Sequence, residues 1–97
     1  MEKIHFEWDP EKNTQNIRKH GISFEEARSA FHDENARFQH DPDHSHKEDR
    51  FILLGYTTQA KLLTIILCYR ENNEIIRIIS ARKANRLETA QYHFFNR

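Results

Sequence analysis

Arginine is the residue type whose placement in this sequence offers the most specific chemistry. A guanidinium group stays protonated and presents paired N–H donors that match the oxygens of a phosphate. Arg70 and Arg77 flank a predicted four-residue hairpin loop, residues 71–74. With Arg70 opposite Ile75, the two arginines share one sheet face at a Cα distance of about 7–8 Å. At that separation the pair could hold one phosphate between them.

An ordinary structural role is the alternative for these arginines. Each can pair with a nearby carboxylate, such as Glu71, Glu74 or Glu88, as a surface ion pair. Arg82 stands at the junction of a predicted strand and helix, and on a strict pleat it faces away from Arg77. Strand geometry alone therefore does not decide which arginine accompanies Arg70.

The charge of the chain is zero in sum but divided along its length. All 97 residues contain 15 Lys and Arg and 15 Asp and Glu. Residues 1–49 have a net charge of −5, and residues 50–97 have a net charge of +5. The basic half keeps a phosphate-bearing partner in consideration, and Arg50, Arg77 and Arg86 are among its candidate contacts.

Two aromatic residues and a histidine-rich loop are further candidates. Trp8 and Tyr92 could stack on unpaired bases at the edge of a basic surface, although burial in the core is the commoner role for such rings. The run from His40 to Asp49 contains three histidines and four acids, which could ligate a divalent metal. It contains no rigid element, so a solvated loop is favoured, and a single histidine, His44 or His46, could also act as an acid or base.

The first half of the chain is predicted to contain one strand and two helices. Ile4, Phe6 and Trp8 alternate as in a strand, Asp9-Pro10 opens a helix that Gly21 ends, and Ser23 opens a second helix. The first helix has a polar stripe. It either packs through that stripe or presents Asn16, Lys19 and His20 to a ligand.

The second half is dense in strand signals. Strands are predicted at 50–56, 62–70 and 75–82, with another possible at 36–39 and a final helix at about 83–95. That helix gathers Leu87, Ala90 and Phe94 on one face, which we expect to pack against the sheet. The predicted fold is α+β, with an antiparallel sheet of about four strands and two N-terminal helices and a C-terminal helix packed on it.

The length and the absence of long apolar runs limit the class of protein. Residues 1–97 are expected to form a single domain, and no segment is long and apolar enough to be a transmembrane helix or a signal peptide. A lone cysteine, Cys68, suits a reducing cytoplasm. With only two glycines, a glycine-rich phosphate loop is excluded.

Several blocks together resemble the BrnT-type toxins of type II toxin–antitoxin systems. The N-terminal signature corresponds to residues 6–13, Asn16 and residues 19–27. The remaining blocks follow in order at residues 48–51, Gly55, Arg70 and residues 76–84, so that the resemblance covers nearly the whole chain.

The resemblance implies a RelE-like fold and a metal-independent, cofactor-free endoribonuclease that inhibits translation in the cytoplasm. It implies neutralisation by a BrnA-type antitoxin and contact with DNA only through the antitoxin complex. The family's functional arginines fall on Arg70 and Arg82, which favours Arg82 as the companion of Arg70.

Cleavage by attack of the RNA's own 2′-hydroxyl needs a base, an acid and stabilisation of negative charge. The arginines suit the last role. Lys19, His20, His44 and Glu48 are the candidate bases, and the sequence does not rank them. We expect the antitoxin to cover the basic sheet face. The competing hypothesis is a protein- or DNA-binding module without catalysis that acts within a repressor complex.

Overall fold

A computed structural model describes residues 4–44 and 48–97 of the chain. The elements follow in the order β1 (His5–Glu7), α1 (Pro10–His20), α2 (Phe24–Arg28), β2 (Arg37–Asp41), β3 (Arg50–Tyr56), β4 (Leu62–Arg70), β5 (Ile75–Lys83) and α3 (Arg86–Phe95). Single 3-10 turns follow α2 and β2, at Ser29–His32 and Pro42–His44.

One mixed sheet of five strands forms the centre of the molecule, in the order β1-β5-β4-β3-β2. Strands β2 to β5 are antiparallel, as predicted. The predicted antiparallel sheet of about four strands is corrected to a mixed sheet of five, because the predicted N-terminal strand, β1, joins the same sheet and pairs with β5 in parallel. A parallel neighbour requires a long crossover connection, which the intervening helices and strands supply.

One face of the sheet is covered by α1, α2 and the turn after α2. The core between these layers is apolar and is made of Ile22, Phe24, Ala27, Ala30, Leu53, Leu63, Ile65, Leu67, Ile76, Ile78 and Ala81. On β4 its members alternate from Leu63 to Leu67, as a strand buried on one face requires. We call this side the core face.

Helix α1 packs on the core face through polar contacts. The Asp9 side chain caps its first turn, and Gly21 ends it in the left-handed conformation at φ 71°. The buried Asn16 amide donates to the backbone oxygens of Ile22 (2.8 Å) and Ala81 (2.7 Å) and accepts from the Ala81 N–H at 3.1 Å. The polar stripe therefore serves packing, and Asn16 is not available to a ligand.

The loop predicted from His40 to Asp49 begins later than expected. His40 and Asp41 belong to β2, where they pair with Phe51 and Arg50. The side chain of His44 and all of residues 45–47 lie outside the described part of the chain.

Helix α3 ends at the predicted residue, Phe95, but begins at Arg86 rather than near residue 83, and it packs through a different side of the helix. Asn85 and Glu88 form a complete capping box at its start. The predicted packing face is wrong, since Leu87 is 67% exposed and Phe94 is 57% exposed, whereas Tyr92 is buried. None of the described helices is long and apolar enough to cross a membrane.

Candidate functional site on the arginine face

The sheet face opposite the core face carries five arginines. The register between strands aligns them in two rows, because directly paired residues point to the same side of a sheet. One row is Asp41, Arg50, Cys68, Arg77 and Glu7, and the other is Arg37, Leu54, Thr64 and Arg82. Arg70 also belongs to this side, two residues beyond Cys68 on β4. We call this surface the arginine face.

A β-bulge in β5 explains how Arg82 reaches the arginine face. Leu67 pairs with Ile78, but the preceding residue of β4, Ile66, pairs with Ser80, so Ile79 is an extra residue in β5. One inserted residue reverses the inside–outside alternation beyond it. The strict pleat predicted that Arg82 and Arg77 face opposite sides, and the bulge overturns that expectation.

Arg50, Arg70 and Arg77 form a compact group around Cys68. Arg50 and Arg77 lie on the two strands that flank Cys68 and are paired with it directly. Arg70 lies opposite Ile75, as the hairpin predicted, which makes it the diagonal neighbour of Arg77 at a Cα distance of about 7–8 Å. We call these three residues the arginine cluster.

Arg82 lies far from the arginine cluster along the sheet. It pairs with Thr64, six residues before Arg70 on β4. At about 3.3 Å per residue, the Cα atoms of Arg70 and Arg82 are about 20 Å apart. The two arginines share a face, but they are too distant to hold one phosphate between them. The neighbour of Arg70 is Arg77.

Arg70 forms an ion pair with Glu48, which stands just before β3. Burial by itself would raise the pKa of Glu48, but the hydrogen bond and charge of Arg70 outweigh it and lower the pKa below its ordinary value. Glu48 also accepts from the Cys68 thiol, whose own pKa is raised mainly by burial. An ionised carboxylate therefore lies between a guanidinium and a neutral thiol.

Arg77 is paired with Glu7 at the β1 edge of the sheet. The Nη1 atom of Arg77 donates to Glu7 Oε2 at 2.5 Å, and both side chains are about one-third exposed. Ion pairs with this exposure contribute only about 0–1 kcal/mol to stability. A phosphate that makes paired hydrogen bonds with the arginine can therefore replace the carboxylate at little cost.

The pair formed by Arg82 and Glu88 is tighter and joins the sheet to α3. The two guanidinium nitrogens donate to the two carboxylate oxygens at 2.7 and 2.9 Å. The hydrogen bond from Arg82 lowers the pKa of Glu88 to about 2, against the opposing effect of burial. Glu88 also accepts from the Asn85 N–H within the capping box, so this carboxylate has a structural function.

A second polar contact holds the middle of α3 near the far end of β3. The Tyr92 hydroxyl donates to Asp33 Oδ2 at 2.7 Å, and the Tyr56 N–H donates to the same oxygen at 2.8 Å. Burial and the Asp33 carboxylate raise the pKa of Tyr92. Tyr92 is 5% exposed, so its ring is not available to stack on a base, and its predicted contact with RNA has no support in this arrangement.

Two predicted catalytic residues, Lys19 and His20, are not brought to the arginine face. They end α1, which packs on the core face through the bonds from Asn16 to Ala81. Trp8 is half-buried, and its ring meets Phe24 of the core at 6.2 Å. These three residues therefore lie apart from the arginine cluster. Arg86 is exposed at the start of α3.

The histidine-rich segment does not gather a metal site in the part that can be described. His40 Nε2 lies 3.2 Å from Asp49 Oδ1. Within residues 4–44 and 48–97, no three His, Cys, Asp or Glu side chains come together as a metal site would require. The predicted roles of His44 and His46 fall on side chains outside the described set.

The carboxylates beside the arginines were only partly foreseen. Glu88 is the one foreseen arginine partner that the structure confirms, whereas Arg70 pairs with Glu48 and Arg77 pairs with Glu7. Glu7 could not be found from local sequence, because the parallel pairing of β1 with β5 joins residues 70 positions apart. The acidic half of the chain thus supplies the rim of the arginine face.

The fold and the site define a small α+β protein with one sheet face that carries five arginines, three of which form ion pairs with Glu48, Glu7 and Glu88. A family model described as "Ribonuclease toxin, BrnT, of type II toxin-antitoxin system" matches residues 8–88. The chain therefore belongs to the BrnT toxin family, as its sequence blocks indicated.

A solved structure shows the same relationship. The 1.1 Å crystal structure of the Brucella abortus ribonuclease toxin BrnT is 27% identical in sequence, with a TM-score of 0.55. The match covers 89% of this chain and 100% of the Brucella chain. A comparison with curated proteins finds no significant match. Membership of a type II family implies a protein antitoxin as partner.

Proposed function

We propose that this chain is a metal-independent endoribonuclease that inhibits translation in the cytoplasm and is neutralised by a BrnA-type antitoxin. The observation that supports the proposal best is the arginine cluster, in which Arg70 and Arg77 lie as diagonal neighbours on an open sheet face. Family membership supplies the reaction class. DNA is contacted only through the complex with the antitoxin.

Binding of RNA begins with an exchange of partners at the arginine cluster. The reacting phosphate replaces Glu48 on Arg70 and Glu7 on Arg77, and each guanidinium retains an anionic partner. Because the glutamate pairs are partly exposed, their loss costs little, whereas the new hydrogen bonds strengthen as negative charge grows on the phosphorane. Arg50 contributes a third positive charge at the same end of the face.

Glu48 is the base that fits this geometry best. Of the candidate bases whose side chains are described, Glu48 is the one in contact with the arginine cluster. It accepts the proton of the 2′-hydroxyl while the 2′-oxygen bonds to phosphorus. The bond from phosphorus to the 5′-oxygen breaks, and that oxygen takes a proton from solvent. The products are a 2′,3′-cyclic phosphate and a 5′-hydroxyl end.

In this scheme Arg82 and Arg86 bind the RNA that flanks the reacting phosphate, away from the cleavage site. Arg82 lies about 20 Å from Arg70, a distance that places it at a phosphate several nucleotides away from the reacting one. Its tight pair with Glu88 gives it a second task, which is to hold α3 against the sheet.

Purified protein tests this function with two matched oligonucleotides in excess chelator. One is RNA, and the other has the same sequence with 2′-deoxyribose throughout. We expect cleavage of the RNA alone, with 2′,3′-cyclic phosphate ends. Intact RNA in the chelator, or cleavage of both strands, contradicts the proposal. Intact RNA together with tight, salt-dependent binding favours the alternative, a binding module without catalysis.

A further inference from the structure

Helix α3 turns its apolar stripe away from the protein. Leu87 is 67% exposed, Phe94 is 57% exposed, and Ala90 between them is also exposed. The spacing of three and four residues places these side chains along one line of the helix. The stripe covers about two turns of the helix.

The inner side of α3 is polar. Glu88 bonds to Arg82, Tyr92 bonds to Asp33, and the Asn96 amide at the helix end donates to the backbone oxygen of Asn35 at 3.1 Å. These bonds fix the rotation of the helix, so the outward direction of the apolar stripe is built into the fold. Exposed apolar side chains aligned in this way are typical of a helix that binds another protein.

Positive charge flanks the stripe at both ends. Arg86 is exposed at its N-terminal end, and Arg97 lies over the Phe94 ring at 4.4 Å at the other end. Glu88, the acidic residue within α3, is directed inward to Arg82. The partner that fits must therefore offer apolar side chains flanked by carboxylates.

Charge also argues against a second copy of this chain as the partner. An antiparallel pairing of two α3 stripes about a two-fold axis would place Arg86 of one copy beside Arg97 of the other, twice in each dimer. Like charges in contact oppose association. A parallel pairing would place each basic end against the same basic end.

We propose that the stripe formed by Leu87, Ala90 and Phe94 is the docking site for an acidic amphipathic helix of the antitoxin. The proposal rests on the family membership and proposed function above, because these imply a protein antitoxin. The antitoxin's apolar residues pack along the stripe, and its carboxylates meet Arg86 and Arg97. This position differs from the coverage of the basic sheet face expected from the sequence, and it places the antitoxin beside Arg82, at one end of the arginine face.

Binding measurements with two toxin variants test this surface. The probe is the protein encoded by the reading frame adjacent to the toxin gene, purified separately. One variant combines Leu87→Glu with Phe94→Glu. The matched control is Ile17→Glu, which makes the same kind of change at a 45% exposed position on α1. We expect the double variant to bind at least about 100-fold more weakly and the control to bind like the wild type.

Several outcomes overturn the proposal. Unchanged binding by the double variant, or an equal loss in the control, shows that the antitoxin docks elsewhere. A wild-type dimer that the double variant dissociates shows that a second copy occupies the stripe. Far-ultraviolet circular dichroism and thermal unfolding verify that all variants are folded. RNA cleavage by the toxin alone is measured in parallel, so that failure of the proposed activity is seen separately from failure of docking.

Discussion

Arg77 and Arg82 point to the same side of the sheet although they are five positions apart along β5. Regular alternation would place them on opposite sides, and the extra residue Ile79 reverses the alternation between them. The bulge therefore creates an arginine face that runs from the arginine cluster to α3. It also separates the proposed phosphate-binding residues, Arg70 and Arg77, from Arg82, whose bonds to Glu88 attach α3 to the sheet.

Glu88→Gln should reveal the contribution of the ion pair with Arg82. Glutamine keeps the capping bond to Asn85, so the substitution removes mainly the charge. We expect a loss of about 1–2 kcal/mol in the free energy of unfolding at pH 7, reduced from the full effect of the pKa shift because Arg82 is partly exposed. Urea unfolding monitored by circular dichroism measures this loss.

The same substitution has a defined dependence on pH. The pKa of Glu88 is lowered from 4.5 to about 2 in the folded protein, so its stabilisation is complete above pH 4.5 and is lost as the pH falls towards 2. The difference in the free energy of unfolding between the wild type and Glu88→Gln should therefore shrink as the pH is lowered across this range. A difference that stays constant down to pH 2 would contradict the role assigned to the pair.

Tyr92→Phe should weaken the attachment of α3 to the rest of the protein while leaving the packing of the buried ring almost unchanged. The variant loses the hydrogen bond to the Asp33 carboxylate and leaves that oxygen with the Tyr56 N–H. Hydrogen bonds to charged groups contribute about 1.5–3 kcal/mol, and we expect a destabilisation in that range. A double-mutant cycle with Asp33→Asn measures the coupling, and additive effects would show that the two side chains act independently.

Asn16→Ala should be among the most destabilising substitutions in α1. It removes the partners of two backbone oxygens and one backbone N–H, at Ile22 and Ala81. Unsatisfied buried groups cost about 1–3 kcal/mol each, so a loss of at least about 3 kcal/mol is expected in chemical denaturation. Gln15→Ala, at an exposed position of the same helix, is the control and should change stability little.

Glu48→Gln should reduce RNA cleavage by about 100-fold if this side chain is the base. Because Arg70 holds the pKa of Glu48 below its ordinary value of 4.5, the acid limb of kcat/KM in the wild type should lie below pH 4.5. That limb should disappear in the variant. If the kcat/KM of the wild type instead begins to fall once the pH drops below about 6–7, the base is a histidine.

The strands that carry the site could be read closely from the sequence, because they are rich in β-branched residues and end at short polar loops. β3 and β4 have the predicted bounds, and the four-residue loop set the pairing of Arg70 with Ile75. The bulge at Ile79 could not be foreseen, since no glycine or proline marks it.

The pairing of elements that are distant in sequence was the other feature that could not be predicted. β1 joins the sheet through backbone bonds to β5, and only that parallel pairing brings Glu7 to Arg77. Helix α3 shows why an apolar stripe does not identify a packing face. Its orientation is decided by Glu88 and Tyr92, whose hydrogen-bond partners lie elsewhere in the chain.

Cleavage of one synthetic RNA by four proteins under single-turnover conditions, with excess chelator, tests the arginine cluster most directly. The proteins are the wild type, Arg70→Ala, Arg77→Ala and Arg18→Ala, the last of which alters an exposed arginine on α1. We predict that the first two substitutions lower the cleavage rate by about 100- to 1,000-fold, the effect typical of losing one donor to a developing oxyanion. Arg18→Ala should cleave like the wild type. Equal cleavage by all four proteins, with every variant folded, would contradict the assignment of the arginine cluster as the catalytic surface.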